Sequence, residues 1–117
     1  MPTNAITANE YQEFTIKTAI YPGAGTGNKD ELSYLALGLN GESGEVADKI
    51  KKYLRDGPLD TGGIVYELGD VCWYIARLSD ALGYSFEDIL AINKSKLLKR
   101  LDNGAIQGSG DYRGTAA

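Results

Sequence analysis

The sequence predicts an all-α fold, a bundle of four to five helices. Three observations carry that expectation. Apolar residues recur at spacings of three and four, the segments so defined are closed by capping or helix-breaking residues, and no stretch alternates apolar and polar positions as a strand would. No internal repeat competes with this reading.

The first segment opens at the capping box Thr7-x-x-Glu10 and runs from about Ala8 to Ile20, with Tyr11, Phe14 and Thr18 on one face. Pro22-Gly23 stops it, and residues 22–28 read as a flexible loop. The second begins at Asn28, has Glu31 in the capping-box position and continues to about Arg55, before Asp56-Gly57-Pro58. It is long, and its glycines can bend it.

The third runs from Thr61 or Gly63 to Leu82, with Gly83 closing it. Ile64, Leu68, Val71, Ile75, Leu78 and Leu82 form a heptad-type seam, while Tyr66, Cys72, Trp73 and Ala76 make the opposite face apolar too. A helix apolar on both faces is expected to be covered on both. It should therefore be central and lie at a subunit interface. The fourth opens at Ser85, with Asp88 in the capping position, and carries Phe86, Ile89, Leu90, Leu97 and Leu101 to Asn103-Gly104. Residues 1–103 then form one helical domain, and 104–117 a Gly- and Ser-rich tail expected to be flexible until something binds it.

Composition removes several classes of function. The 117 residues, 43% hydrophobic and 24% charged, make one ordinary globular domain. With no histidine and Cys72 as the one cysteine, a structural zinc site, His-ligated haem, a Ser-His-Asp triad and a Cys-His dyad are excluded. A net charge of −4 and a pI near 4.7 leave no electrostatic footprint for nucleic acid. No apolar run is long enough to span a membrane, and Met1 to Asn9 lack the features of a signal peptide, so a cytoplasmic protein is expected. A 12.6 kDa chain has little stability to spare for charges at its centre, which calls for a partner subunit or a bound ion. A homodimer or homotetramer is the expectation.

The informative residues are carboxylates where leucines belong. On the second helix Leu35, Leu39, Val46, Ile50 and Tyr53 share a face, and Glu42 falls in the middle of it with Glu45 one turn on. On the third, Glu67 and Asp70 stand in the same relation along a flank of the seam. Acid pairs at this spacing also arise by chance, as Glu10/Glu13 and Glu45/Asp48 show, and most belong to solvated faces. Position separates the others. A buried carboxylate costs several kcal/mol unless it is paired or bound to metal, and the nearest candidate for a structural ion pair with Glu42 is Lys49 on the flank. If the two pairs converge, an all-oxygen anionic site suits Mg²⁺, with Mn²⁺ a possible substitute. A di-iron centre would need histidines that are absent. Magnesium usually retains waters and is completed by substrate phosphates, so the implied substrate is a phosphate ester. On the fourth helix Asn93, Lys96 and Arg100 can donate to phosphate oxygens, although a basic last turn also complements the helix dipole. Tyr11, Gln12, Phe14, Tyr34, Trp73 and Tyr74 are possible base contacts, but aromatics at helical spacing more often fill a core.

The stretch Leu39-Asn40-Gly41-Glu42-Ser43-Gly44-Glu45-Val46-Ala47-Asp48, followed after 21 intervening residues from Glu45 by Glu67-Leu68-Gly69-Asp70-Val71, resembles the MazG-like all-α nucleoside triphosphate pyrophosphohydrolases. Asn93-x-x-Lys96 is similar to that family's third motif. The resemblance covers about residues 28–100 and extends to phosphoribosyl-ATP pyrophosphohydrolases and to dUTPase- and dCTPase-like enzymes, so it implies a superfamily and no particular base. It implies that Glu42, Glu45, Glu67 and Asp70 hold Mg²⁺, that a metal-activated water attacks the α-phosphorus, and that (d)NMP and pyrophosphate leave. Glu42 or Glu45 would double as the base for water, Lys96 with Asn93 and Arg100 would bind phosphates, and the enzyme would be a dimer or tetramer. The competing expectation is a non-catalytic helical module of the same fold that binds a nucleotide or a protein.

Overall fold

The computed structural model describes residues 4–113, and every regular element among them is helical. Helix α1 spans Ala8–Thr15, α2 Lys29–Asp56, α3 Thr61–Ala81 and α4 Phe86–Asp102. None of them is long and apolar enough to cross a membrane. Two compact units follow one another along the chain, the first reaching Phe86 and the second beginning at Glu87.

The caps form largely where the sequence places them. Thr7 Oγ1 accepts from the Glu10 amide at 3.1 Å, and Asn28 Oδ1 accepts from the Glu31 amide at 3.0 Å. Helix α3 starts at Thr61 because Asp60, a cap the sequence reading did not single out, accepts from the Gly63 amide at 3.0 Å. At its far end Gly83 adopts φ 86°, and the Tyr84 amide reaches back to Ser79 O at 2.9 Å.

Helix α1 is shorter than expected. It tightens after Thr15 into a 3-10 turn, Ile16–Thr18. Thr15 donates its hydroxyl to Gln12 O at 2.6 Å and Thr18 donates to Thr15 O at 3.1 Å, so β-branched residues here bond the backbone instead of extending the helix.

The loop over residues 22–28 also departs from its reading as flexible. Glu31, at 1% exposure, accepts from the Tyr21 hydroxyl at 2.6 Å, the Gly25 amide at 2.7 Å and the Gly27 amide at 2.8 Å. Gly25 and Gly27 have φ of 79° and 68°, a conformation that turns both amides toward one carboxylate.

Helices α2 and α3 form an antiparallel hairpin. Lys49 faces Asp60 at 3.5 Å near the turn, and further along, Gly38 meets the ring of Tyr74. Helix α1 lies against the C-terminal half of α3. Gln12 donates to Ala76 O at 3.0 Å and Tyr84 O at 3.1 Å and accepts from the Phe86 amide at 3.1 Å, while Arg77 Nε donates to Thr15 Oγ1 at 2.8 Å. The expectation that α3 is covered on both faces is therefore corrected for the single chain. Ala76, Arg77 and Ser79 are buried, whereas Val65, Tyr66 and Leu68 nearer its start are exposed because α1 does not extend that far.

In the second unit, residues 103–113 follow α4 as turns tied by two arginines. Arg100 donates to Asp111 O at 2.6 Å and Gly110 O at 3.3 Å. Arg113 donates to Gly110 O at 2.9 Å and to Ala105 O and Ile106 O at 3.1 Å each. Residues 114–117 of the expected tail lie outside the described residues.

Candidate functional site

The antiparallel register of α2 and α3 brings acids from the two helices to one level. Carboxylate oxygens of Glu42, Glu67 and Asp70 lie within 4.8 Å of one another. Glu42 and Glu67 are half-buried and Asp70 is exposed. Glu42 thus sits at the rim of its apolar stripe: Leu35 is fully buried, Leu39 and Val46 are half-buried, and Ile50 and Tyr53 are exposed. Glu45 is exposed and stands outside the group of three, though its charge acts on Glu42.

Like charge held this close traps a proton. The Glu42 carboxyl is pushed up to about 7, first by sharing that proton in a hydrogen bond with Glu67, then by burial, then by the charges of Asp70, Glu67 and Glu45. Lys49 does not relieve the repulsion, since it is turned to Asp60, and Lys51 and Lys52 bind Asp48 at 3.0 and 2.9 Å. Among the described residues no ion pair involves Glu42, Glu67 or Asp70, so these acids are not serving as salt-bridge partners. Three converging oxygens, no soft donor and a proton occupying the shared position fit a hard divalent cation.

A cavity of about 310 Å³ opens beside this cluster, lined by Thr18, Glu42, Asp70, Trp73 and Tyr74. Trp73 Nε1 donates to Thr18 Oγ1 at 2.7 Å, which fixes the indole. Tyr74 meets Trp73 edge to face at 5.0 Å, and Tyr21, stacked on Tyr34 at 5.0 Å, meets the indole edge-on at 5.9 Å. Trp73 and Tyr74 follow Asp70 by one turn, a spacing that could have marked them as neighbours of a metal ligand. Of the other possible base contacts, Gln12 has its amide committed to backbone groups.

The α4 residues belong to the second unit. Lys96 lines a groove with Ile92, Ser95, Lys99, Asp111 and Tyr112, while Asn93 borders a separate apolar groove with Leu97, Leu101 and Ile106. Arg100 is buried, with its guanidinium on the carbonyls of Gly110 and Asp111.

Comparison with known proteins adds the family. A family model described as the MazG nucleotide pyrophosphohydrolase domain matches residues 30–104, a span that includes every one of these acids and the α4 residues. The chain is 47% identical over 109 aligned residues to the gene 37 protein of Mycobacterium phage L5, an alignment covering 88% of this chain and 96% of that relative. No solved structure matches the chain significantly.

Proposed function

Since the chain belongs to the MazG nucleotide pyrophosphohydrolase family, we propose that it hydrolyses a nucleoside or deoxynucleoside triphosphate to the monophosphate and pyrophosphate in a Mg²⁺-dependent reaction. The observation that carries this reading is the convergence of Glu42, Glu67 and Asp70 beside a cavity walled by Trp73 and Tyr74. Those three carboxylates would hold Mg²⁺, or Mn²⁺ in its place, with Glu45 contributing from the exposed flank. The cation, when bound, offsets the carboxylate charge that would repel a triphosphate and polarises the phosphoryl group and water.

The chain's own groups do the rest. Glu42 loses its shared proton when the site is loaded, and Glu42 or Glu45 then accepts a proton from the attacking water. The water oxygen bonds to the α-phosphorus as the bond from that phosphorus to the bridging oxygen of the β-phosphate breaks. Trp73 and Tyr74 offer the base an apolar, stackable wall and keep water from that side of the reacting group. Lys96, with Asn93, would bind phosphate oxygens, and Arg100 would hold residues 110 and 111 in place beside Lys96. The enzyme works in the cytoplasm as a homodimer or homotetramer, and it requires neither nucleic acid nor membrane. The exposed apolar start of α3 supports self-association.

Pyrophosphate release from the eight common NTPs and dNTPs, measured with Mg²⁺, with Mn²⁺ and with EDTA, tests the reading. Metal-dependent release is expected. Glu42→Gln and Asp70→Asn should each lower it at least ~100-fold with helicity unchanged, because loss of a metal ligand removes several kcal/mol of transition-state stabilisation. Nucleotide binding without release under any cation would overturn hydrolysis in favour of a non-catalytic binding module.

A further inference from the structure

We infer that Gly38 is a positioning residue for the acid cluster, setting the approach of α2 to α3 through the ring of Tyr74. The inference rests on the pyrophosphohydrolase reading above and adds a residue that carries no functional group of its own. A Cβ at position 38 would overlap Cε1 and Cζ of Tyr74 and stand 2.7 Å from Cδ1. Within the helices only Gly63 shows a comparable overlap, and there the neighbour is Asp60, the cap of its own helix, not a residue of a facing one. Gly41 and Gly44 on α2, and Gly69 on α3, have nothing within 4 Å of such an atom.

Register makes the contact matter. Gly38 precedes Glu42 by one turn of α2, and Tyr74 follows Asp70 by one turn of α3, so in an antiparallel pair the Gly38–Tyr74 contact adjoins the level at which the acids meet. The ring rests on the α2 backbone with no side chain between them. Trp73 meets the ring edge-on at 5.0 Å and Tyr34 lies at 6.5 Å, so aromatic neighbours stand on two sides of it. Tyr74 also lines the cavity that Glu42 and Asp70 share. A methyl group at position 38 displaces this ring or parts the helices, and either change alters the spacing that brings Glu42 to Glu67 and Asp70. Mg²⁺ and Mn²⁺ sites tolerate such a change poorly, since their ligand geometry is narrow.

The test is Mn²⁺ binding to the full chain, read by titration calorimetry, with far-UV circular dichroism and thermal unfolding to confirm the fold. Gly38→Ala should weaken Mn²⁺ binding about 10–100-fold, the range seen when groups supporting metal ligands are changed. Adding Tyr74→Ala should return the affinity to that of Tyr74→Ala alone, because the obstructing ring is gone. Gly44→Ala, on the same helix in open space, should bind as the parent does. A folded Gly38→Ala protein with parental Mn²⁺ affinity overturns the inference, as does a double variant no better than Gly38→Ala. Should Gly38→Ala fail to fold, the double variant must fold and bind; a double variant that stays unfolded while Tyr74→Ala folds also overturns it. A parent chain that binds no Mn²⁺ overturns the metal-site reading itself, a result distinct from unchanged binding in the variant.

Discussion

Glu42 carries a protonation equilibrium at the position proposed above for the metal. Its proton, shared with Glu67, is retained in the folded chain up to about pH 7, whereas the same carboxyl in the unfolded chain releases it near the ordinary value of 4.5. The folded state thus binds more protons across that window, and the stability this group contributes falls as pH rises through it. A divalent cation must displace the proton, so its stabilisation grows across the same window. The rise in melting temperature on adding Mg²⁺ should be small at about pH 5 and reach its full size above about pH 7. An equal rise at both ends would remove Glu42 from the ligand set. Glu42, Glu67 and Asp70 were legible in the sequence because a carboxylate on an apolar stripe and an acid pair at helical spacing are patterns within one helix. The inequality between Glu45 and the other three was not. It depends on which side of α2 meets α3, and no single helix records that.

At the level of elements, caps were readable and loop interiors were not. Thr7, Asn28 and Gly83 act where their residue types imply, and the α2–α3 hairpin follows from two long helices joined by a short link. Glu31 was legible as a capping-box residue, yet its carboxylate is occupied by Tyr21, Gly25 and Gly27. That role depends on positive φ at two glycines, which composition does not reveal. Burial alone would push the Glu31 carboxyl up, but these donors, aided by the Arg77 charge, outweigh it and hold it below the usual carboxylate range. Its contribution to stability is accordingly present above the unfolded value and lost as pH falls through the folded one. Glu31→Gln keeps the shape but presents one acceptor in place of two. It should lower unfolding free energy by about 2–3 kcal/mol, the scale of charge-assisted bonds to a buried group. Urea unfolding near neutral pH measures that loss, and the variant should also lack the parent's loss of stability at the acid end. A parental midpoint would mean that the loop does not depend on the carboxylate.

On the scale of the whole molecule, the single chain leaves much apolar surface uncovered. Among its described apolar residues only Tyr21, Leu35 and Ala76 are buried, while Val65 and Tyr66 on α3 are 61% and 81% exposed and Leu37 on α2 is 74% exposed. The doubly apolar character of α3 was evident in its sequence, but α1 covers only the C-terminal half of that helix. The homodimer or homotetramer proposed above would cover what remains. Light scattering after size exclusion should give a mass at least twice 12.6 kDa. Val65→Asp places a charge in that surface, where burial without a partner costs several kcal/mol, and should shift the mass toward the single-chain value with helicity retained. If the subunits stabilise each other, this variant must also melt lower, and its melting temperature should depend less on protein concentration than the parent's, as linkage between folding and assembly requires. A parent chain running at 12.6 kDa would show instead that the exposed half of α3 has no such partner.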